Sequence, residues 1–262
     1  MTATAATKVQ AMMAQGGEIT ERLLRDAGVG PAMRVLDIGC GHGDVSILAA
    51  RAVGERGFVL GVDRAPQPLA AAAERARQEG LAQVTFRQGE FGDFSAEFGP
   101  FDAAIGRRVL MYQPDAVEAV RRLARSVRPG GLVIFQEHDA TGLPQSRPEM
   151  PLHERVHGWM WRTVEREGGN RHMGFDLARV LTEAGLVVAQ VRVEAVVQSA
   201  TEDHPTALIV RAMLPRIVEH GVATADEIDV DTLEPRLAAE RARPGAVFLS
   251  ELVFGVWARR PG

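Results

Sequence analysis

Two sets of residues in this chain have the types and spacing that chemistry requires. His153-Glu154-Arg155-Val156-His157 matches the pattern H-E-x-x-H. On a helix, histidines four apart share one face and can ligate zinc, with the glutamate as general base. The second set begins in Arg34-Val35-Leu36-Asp37-Ile38-Gly39-Cys40-Gly41-His42-Gly43-Asp44. Val35, Leu36 and Ile38 form the short apolar run of a strand covered on both faces, and the three glycines let the backbone turn and approach a ligand where any Cβ would clash. A second apolar run, Phe58-Val59-Leu60-Gly61-Val62-Asp63, ends in a carboxylate 20 residues after Gly43. His138, directly after a further apolar run, can take or give a proton near neutral pH.

These residues need elements that hold them together, and the periodicity supplies them. A helix over Val45 to Ala52 would aim its free N–H groups at whatever the glycine turn holds. Pro68 to Gln78 is a helix with proline in its first turn. Asp115 to Val127 is another, with Val117, Val120, Leu123 and Val127 toward a sheet and Arg121, Arg122 and Arg125 toward water. Short strands at Val84 to Phe86, Pro100 to Ile105 and Leu132 to Ile134 alternate with them, which predicts an α/β fold with a mostly parallel sheet and right-handed crossovers. Ligands in such a sheet bind at the carboxyl ends of the strands, where the glycine turn, Asp63 and His138 all fall. An acidic residue at the spacing of Asp63 accepts hydrogen bonds from ribose hydroxyls in nucleotide-binding βαβ units.

The glycine pattern separates two cofactors. A dinucleotide fingerprint needs G-x-G-x-x-G, and here the last position holds Asp44. G-x-G-x-G preceded by Asp37 instead resembles the first motif of class I S-adenosylmethionine-dependent methyltransferases. Four further segments resemble that family in its order: Gln88-Gly89-Glu90-Phe91, Pro100-Phe101-Asp102-Ala103-Ala104-Ile105, Gly106-Arg107-Arg108-Val109-Leu110-Met111-Tyr112, and Arg128-Pro129-Gly130-Gly131-Leu132-Val133-Ile134. Glu90 stands where the family more often has Asp, and His42 where Thr or Ser is common. The resemblance implies a Rossmann-like sheet of seven strands with helices on both faces, and S-adenosylmethionine as cofactor with S-adenosylhomocysteine as product. It also implies a cofactor site formed by Asp37, Gly39, Cys40, Gly41, Gly43, Asp63, Arg64, Glu90, Phe91 and Arg107.

Methyl transfer is an in-line displacement at a sulfonium, so the protein's main task is to align nucleophile, methyl carbon and sulfur in a dry pocket. An alcohol or phenol acceptor would also need a base, for which His138 is the first candidate and His157 and His172 are others. Outside the cofactor core the chain has helical additions at three places. Val9, Met12, Met13, Ile19, Leu23 and Leu24 suggest two helices before the first strand, interrupted at Gly16-Gly17 and closed by Gly28. Ala140 to Met150 is a Pro/Gly/Ser-rich loop followed by a helix over Pro151 to Glu167. Gly174 to Ala184 is the helix before a strand over Leu186 to Val197, and helices over Pro205 to Gly221 and Asp231 to Ala242 precede a final strand within Val247 to Ala258.

One domain is therefore expected, with N-terminal helices or a lid at 1–28, a cofactor core at 29–140, and helical substrate-cap insertions at 141–174 and 199–245. The stripe His153, His157, Trp161 and Val164 would face the pocket mouth. Met12, Met13, Tyr112 and Trp161 are the pocket residues, with Trp159, Met160 and Met213 as further inward candidates. The expected acceptor is a small, largely apolar metabolite, and a homodimer contact is the rival use of the added helices. Three other functions compete: a protein that binds S-adenosylmethionine without methylating, an NAD-dependent oxidoreductase, and a zinc protease. Asp44 argues against the second. Against the third, Met160 and Thr163 occupy the places of the glycine and third histidine that extend H-E-x-x-H, so no metal is expected.

Composition narrows the remaining classes. The hydrophobic fraction of 46% and charged fraction of 24% are those of an ordinary globule, and a net charge of -4 offers no footprint for nucleic acid or an anionic membrane. No apolar run approaches the ~18 residues of a membrane span, and the N-terminus lacks a signal pattern. The single cysteine, Cys40, excludes an internal disulfide, which makes a cytoplasmic location the expectation.

Overall fold

The structure, a computed structural model, describes residues 17–92, 94–201 and 205–262. Met12, Met13 and the first of the two helices expected before the first strand lie outside the described residues. The second is present as α1, residues 17–27, and ends at Gly28 with φ 94°. The order continues β1 (Arg34–Ile38), α2 (Asp44–Val53), β2 (Phe58–Asp63), α3 (Pro66–Gln78), β3 (Val84–Gln88), α4 (Ser95–Phe98) and β4 (Phe101–Arg107). A 3₁₀ turn at Leu110–Tyr112 leads to α5 (Ala116–Ala124), β5 (Val127–Asp139), β6 (Gln145–Arg147), α6 (Pro151–Arg166), α7 (Met173–Glu183) and β7 (Val187–Ser199). The chain closes with α8 (Thr206–Glu219), α9 (Ala225–Ile228), α10 (Leu233–Arg241) and β8 (Val247–Arg259).

The strands hydrogen-bond in the order β3-β2-β1-β4-β5-β8-β6, with β7 beside β8. This is the expected α/β architecture, with eight strands among the described residues in place of seven. The extra strand, β6, lies in the stretch expected to be a loop and pairs antiparallel with the start of β8, Gln145 against Leu249 and Arg147 against Val247. Three residues carry no readable period; they form a strand only because the long β8 offers them an edge. Long-range pairing also moves the end of α5. Val127 was expected in that helix, but Gly130 N–H donates to Arg260 C=O at 2.8 Å and Arg260 N–H to Gly131 C=O at 3.0 Å, which draws the segment into β5. The short α9 was missed although it has a reciprocal cap, in which Thr224 and Glu227 satisfy each other's backbone N–H groups.

β1 to β5 are parallel, and their register brings their carboxyl ends level. Ile38 pairs with Val62 and Gly106, Asp63 with Gln88, and Arg107 with Gln136. The described residues divide into two compact bodies. The larger holds residues 17–92, 94–137, 173–193 and 254–262; the smaller holds residues 138–172, 194–201 and 205–253. In the larger, Leu23 and Leu24 of α1 and Val45, Ala49 and Val53 of α2 pack with Val35, Val59, Ile105 and Ile134 of the strands.

The smaller body has its own core, built from Val156 and Trp159 of α6, Val210 and Ile217 of α8, and Leu233 and Leu237 of α10. Met160 and Met213 pack against it. Trp159, Met160 and Met213, expected to face a pocket, thus belong to the interior of this helical body. No side chain of α6 caps its own N-terminus. Glu240 of α10 does so instead, its carboxylate accepting from the N–H groups of Leu152 and His153, both at 3.0 Å, and from His153 Nδ1 at 2.8 Å. Burial works to raise the Glu240 pKa, but these bonds outweigh it and hold the carboxyl below its usual range. Glu240→Ala is expected to remove about 2 to 4 kcal/mol of stability, through a lost cap and a buried imidazole N–H left unpaired. Denaturant melts of the two proteins measure the difference.

Candidate functional site

Where β1 ends, the glycine turn folds against β2. Cys40 N–H donates to Val62 C=O at 3.0 Å and Gly43 N–H returns to Cys40 C=O at 2.9 Å. Two of the glycines are sterically required. Gly39 has φ 68°, and a Cβ on it would lie 2.2 Å from Val109 Cγ1; Gly43 has φ 81°, and a Cβ there would meet Ala72 at 2.9 Å. Asp63 at the end of β2 braces the turn. Its Oδ2 accepts from Gly41 N–H at 2.8 Å and its Oδ1 from Ala65 N–H at 2.9 Å, so each oxygen keeps a lone pair for a ligand.

Beside this turn lies a cavity of about 810 Å³, all of it within the larger body. Its lining includes five of the residues that the motif resemblance implied, Gly39, Asp63, Arg64, Glu90 and Phe91, together with the expected pocket residue Tyr112. Arg108, Val109 and Gln113 also line it and were not singled out from the sequence. The signal for them was present in the loop after β4, but nothing in residue type marks which members of a loop turn inward.

The other implied residues stand behind the lining. Asp37 is 1% exposed; Ser46 Oγ donates to its Oδ2 at 2.6 Å, while its Oδ1 is buried with no partner. Burial pushes its carboxyl up to about 7, against the opposing pull of the Ser46 hydroxyl and the Arg107 guanidinium. Arg107 is held between Thr20 Oγ1 and Asp44 Oδ2, both at 3.3 Å. Thr20 in turn donates to Gln136 at 2.9 Å, which ties α1 to the ends of β4 and β5. Asp44, read from the sequence only as a missing glycine, therefore has a task. It bridges Arg107 to Arg75 of α3, the latter at 2.7 Å. The Cys40 thiol is buried, and that burial holds it protonated, above its ordinary value.

A second buried carboxylate, Glu137 near the end of β5, was not named from the sequence. It is fully buried, its Oε1 accepts from Val109 and Leu110 N–H at 2.9 and 2.8 Å, and its Oε2 has no partner. Burial pushes its pKa up to about 7 although those two N–H groups work to lower it.

The histidines proposed as bases belong to the smaller body. His138 Nδ1 meets Glu251 Oε1 at 2.7 Å and His172 Nδ1 meets Thr141 Oγ1 at 2.6 Å. His157 Nε2 lies 3.1 Å from Gln198 Nε2; because Gln198 Oε1 accepts from Thr206, its amide N–H faces the imidazole and Nε2 is the acceptor. His153 and His157 are 0% and 3% exposed, with both rings 5.0 Å from that of Phe248, so the stripe expected at a pocket mouth is buried, Trp161 at 5% included. His153 uses both nitrogens, Nδ1 toward Glu240 and Nε2 toward Arg241 Nη1 at 3.4 Å. Glu154, the would-be zinc-site base, is exposed and accepts from Ser146. Among the described residues no group of three or more His, Cys, Asp or Glu is placed to hold a metal.

A family model described as a methyltransferase domain matches residues 30–185, more than half of the chain. The chain belongs to the class I methyltransferase family. S-adenosylmethionine is that family's cofactor. Among curated relatives, a 2-phytyl-1,4-naphtoquinone methyltransferase of Synechococcus elongatus is 37% identical over 123 residues, 47% of this chain and 50% of that protein. The chain spans about half the length of the curated relatives it matches. Among solved structures, a putative methyltransferase from Bacillus halodurans shares the fold with a TM-score of 0.61 at 16% identity, covering 93% of this chain and 99% of the other. A geranyl diphosphate C-methyltransferase from Streptomyces coelicolor, solved with Mg2+, geranyl diphosphate and S-adenosyl-L-homocysteine, has a TM-score of 0.56 at 19% identity, covering 93% and 78%. No described helix of this chain is long and apolar enough to cross a membrane.

Two predictions follow from the buried groups of this site and from the H-E-x-x-H segment. Asp37 and Glu137 have folded-state values near 7, above their ordinary 3.8 and 4.5, so the stability linked to them is present below those ordinary values and is lost as pH rises to about 7. The ligand-free protein should lose thermal stability across that window, and Asp37→Asn and Glu137→Gln should each flatten the profile; parallel wild-type and variant curves would refute the assignment. Prolonged dialysis against EDTA should leave the melting midpoint unchanged. Stoichiometric zinc, lost together with stability, would revive the metal reading of His153 and His157.

Proposed function

We propose that this chain transfers the methyl group of S-adenosylmethionine to a small, largely apolar metabolite. The observation that carries this reading is the Asp63 carboxylate, bonded to the glycine turn, on the wall of a cavity of about 810 Å³ that Glu90 and Phe91 also line. The residues present fit the cofactor. Asp63 offers free lone pairs to vicinal hydroxyls, and Phe91 adds an apolar side chain to the same lining. Asp37 and Arg107 lie outside the cavity lining and bear on the turn through Ser46 and Asp44. Bound there, S-adenosylmethionine supplies a methyl group activated on a sulfonium. The chain's own part is to bind it, to orient it and to keep water away.

The small, largely apolar acceptor is supported by the naphthoquinone named for the curated relative above. The net charge of -4 favours it over nucleic acid. In this reading, residues 29–140 hold the cofactor, and the helical segments 141–174 and 199–245 serve the acceptor. His138 is the first candidate for a base toward an acidic acceptor proton, ahead of His157 and His172.

Titration calorimetry tests the reading. S-adenosylhomocysteine should bind and NAD should not; micromolar NAD affinity with no response to S-adenosylhomocysteine would overturn it. Asp63→Ala should weaken S-adenosylhomocysteine binding by about 1.5 to 3 kcal/mol, since the ribose hydroxyls lose a charged acceptor and Gly41 its brace. An unchanged dissociation constant would move the ribose site elsewhere.

A further inference from the structure

We propose that Glu137 is a positioning residue for the cofactor cavity, holding the wall formed by the loop after β4 through the backbone of Val109 and Leu110. The inference rests on the cavity being the S-adenosylmethionine site. Arg108 N–H still donates to Gln136 C=O at 2.9 Å, so the β4–β5 ladder reaches Arg108 and no further. There the chain takes φ 56°, a left-handed conformation that a non-glycine residue keeps only when its surroundings fix it. Beyond the Gln136 bond, the side-chain acceptor that holds the turn is Glu137. Oε1 of Glu137 accepts from the next two N–H groups, Val109 at 2.9 Å and Leu110 at 2.8 Å. Two donors converging on one carboxyl oxygen leave the turn little freedom.

What that turn carries explains why its position matters. The Val109 side chain fills the space beside Gly39 and shares with Phe135 the space beside Gly106. A Cβ on Gly39 would lie 2.2 Å from Val109 Cγ1, and one on Gly106 would lie 2.8 Å from Cγ2. Val109 is thus the piece that sets the glycine turn against β4, and it lines the cavity together with Tyr112 and Gln113 of the same loop. Glu137 itself does not line the cavity. It touches no ligand in this reading and acts only through the loop. Its cost is visible in its Oε2, which is buried without a partner. A side chain kept only for packing would shed that carboxylate, whereas one needed as a double acceptor must keep at least the oxygen.

Three variants of the full chain separate the readings when titrated with S-adenosylhomocysteine at a temperature where circular dichroism shows them folded. Glu137→Gln keeps an acceptor at the same reach and should bind within about twofold of wild type. Glu137→Leu removes the acceptor, and Glu137→Asp withdraws it by one methylene; both should bind about tenfold or more weakly. If Glu137→Leu does not fold, Glu137→Asp decides. Wild-type affinity in the folded Asp or Leu variant, with only the melting midpoint lowered, would overturn the proposal and leave Glu137 a core residue. Absence of binding by the wild-type protein would instead overturn the cofactor reading on which the proposal rests.

Discussion

The in-register parallel pairing of β1 with β2 and β4 is the constraint on which the site depends. Because Ile38 lies level with Val62 and Gly106, the glycine turn, Asp63 and Arg107 emerge at one end of the sheet within reach of each other. A slip of one residue would turn every side chain to the opposite face and carry Asp63 away from Gly41. The apolar residues of β1, β2 and β4 hold that register by being buried on both faces. The stability of the core and the geometry of the cavity are therefore one property.

On this frame sits a layer of polar groups that touch backbone more than they touch one another. Asp63 braces the glycine turn and Glu137 braces the loop after β4, each carboxylate accepting from two backbone N–H groups. Asp44 holds two arginines from different elements. Ionising a fully buried carboxyl is costly, and the raised values of Asp37 and Glu137 express that cost. Loops that must present backbone to a ligand have few apolar contacts to fix them. Side-chain acceptors take over the role that packing plays elsewhere.

The smaller body shows how a catalytic-looking pattern arises from packing. His153 and His157 share a face of α6, as their spacing requires, but that face is buried beside Phe248 and bonded to Glu240, Arg241 and Gln198. The same four-residue spacing that would place two ligands on a metal also places two side chains in a helical core. Glu154, one position further round, faces solvent.

The sequence by itself determined the alternation of strands and helices, the glycine turn and the acid at the end of the second strand, because these depend on local backbone preference and on the period of burial. It also located the segments that line the cavity, since ligands gather where parallel strands end. It did not reveal the work of Asp44 and Glu137, nor the buried state of His153 and His157. Each of those depends on partners far along the chain, such as Arg75 and Arg107, Val109 and Leu110, or Glu240 and Gln198. A short strand such as β6 likewise exists only through pairing with β8. Local physics decides which segments turn, extend or coil; which polar group ends beside which is decided only when distant segments are brought together.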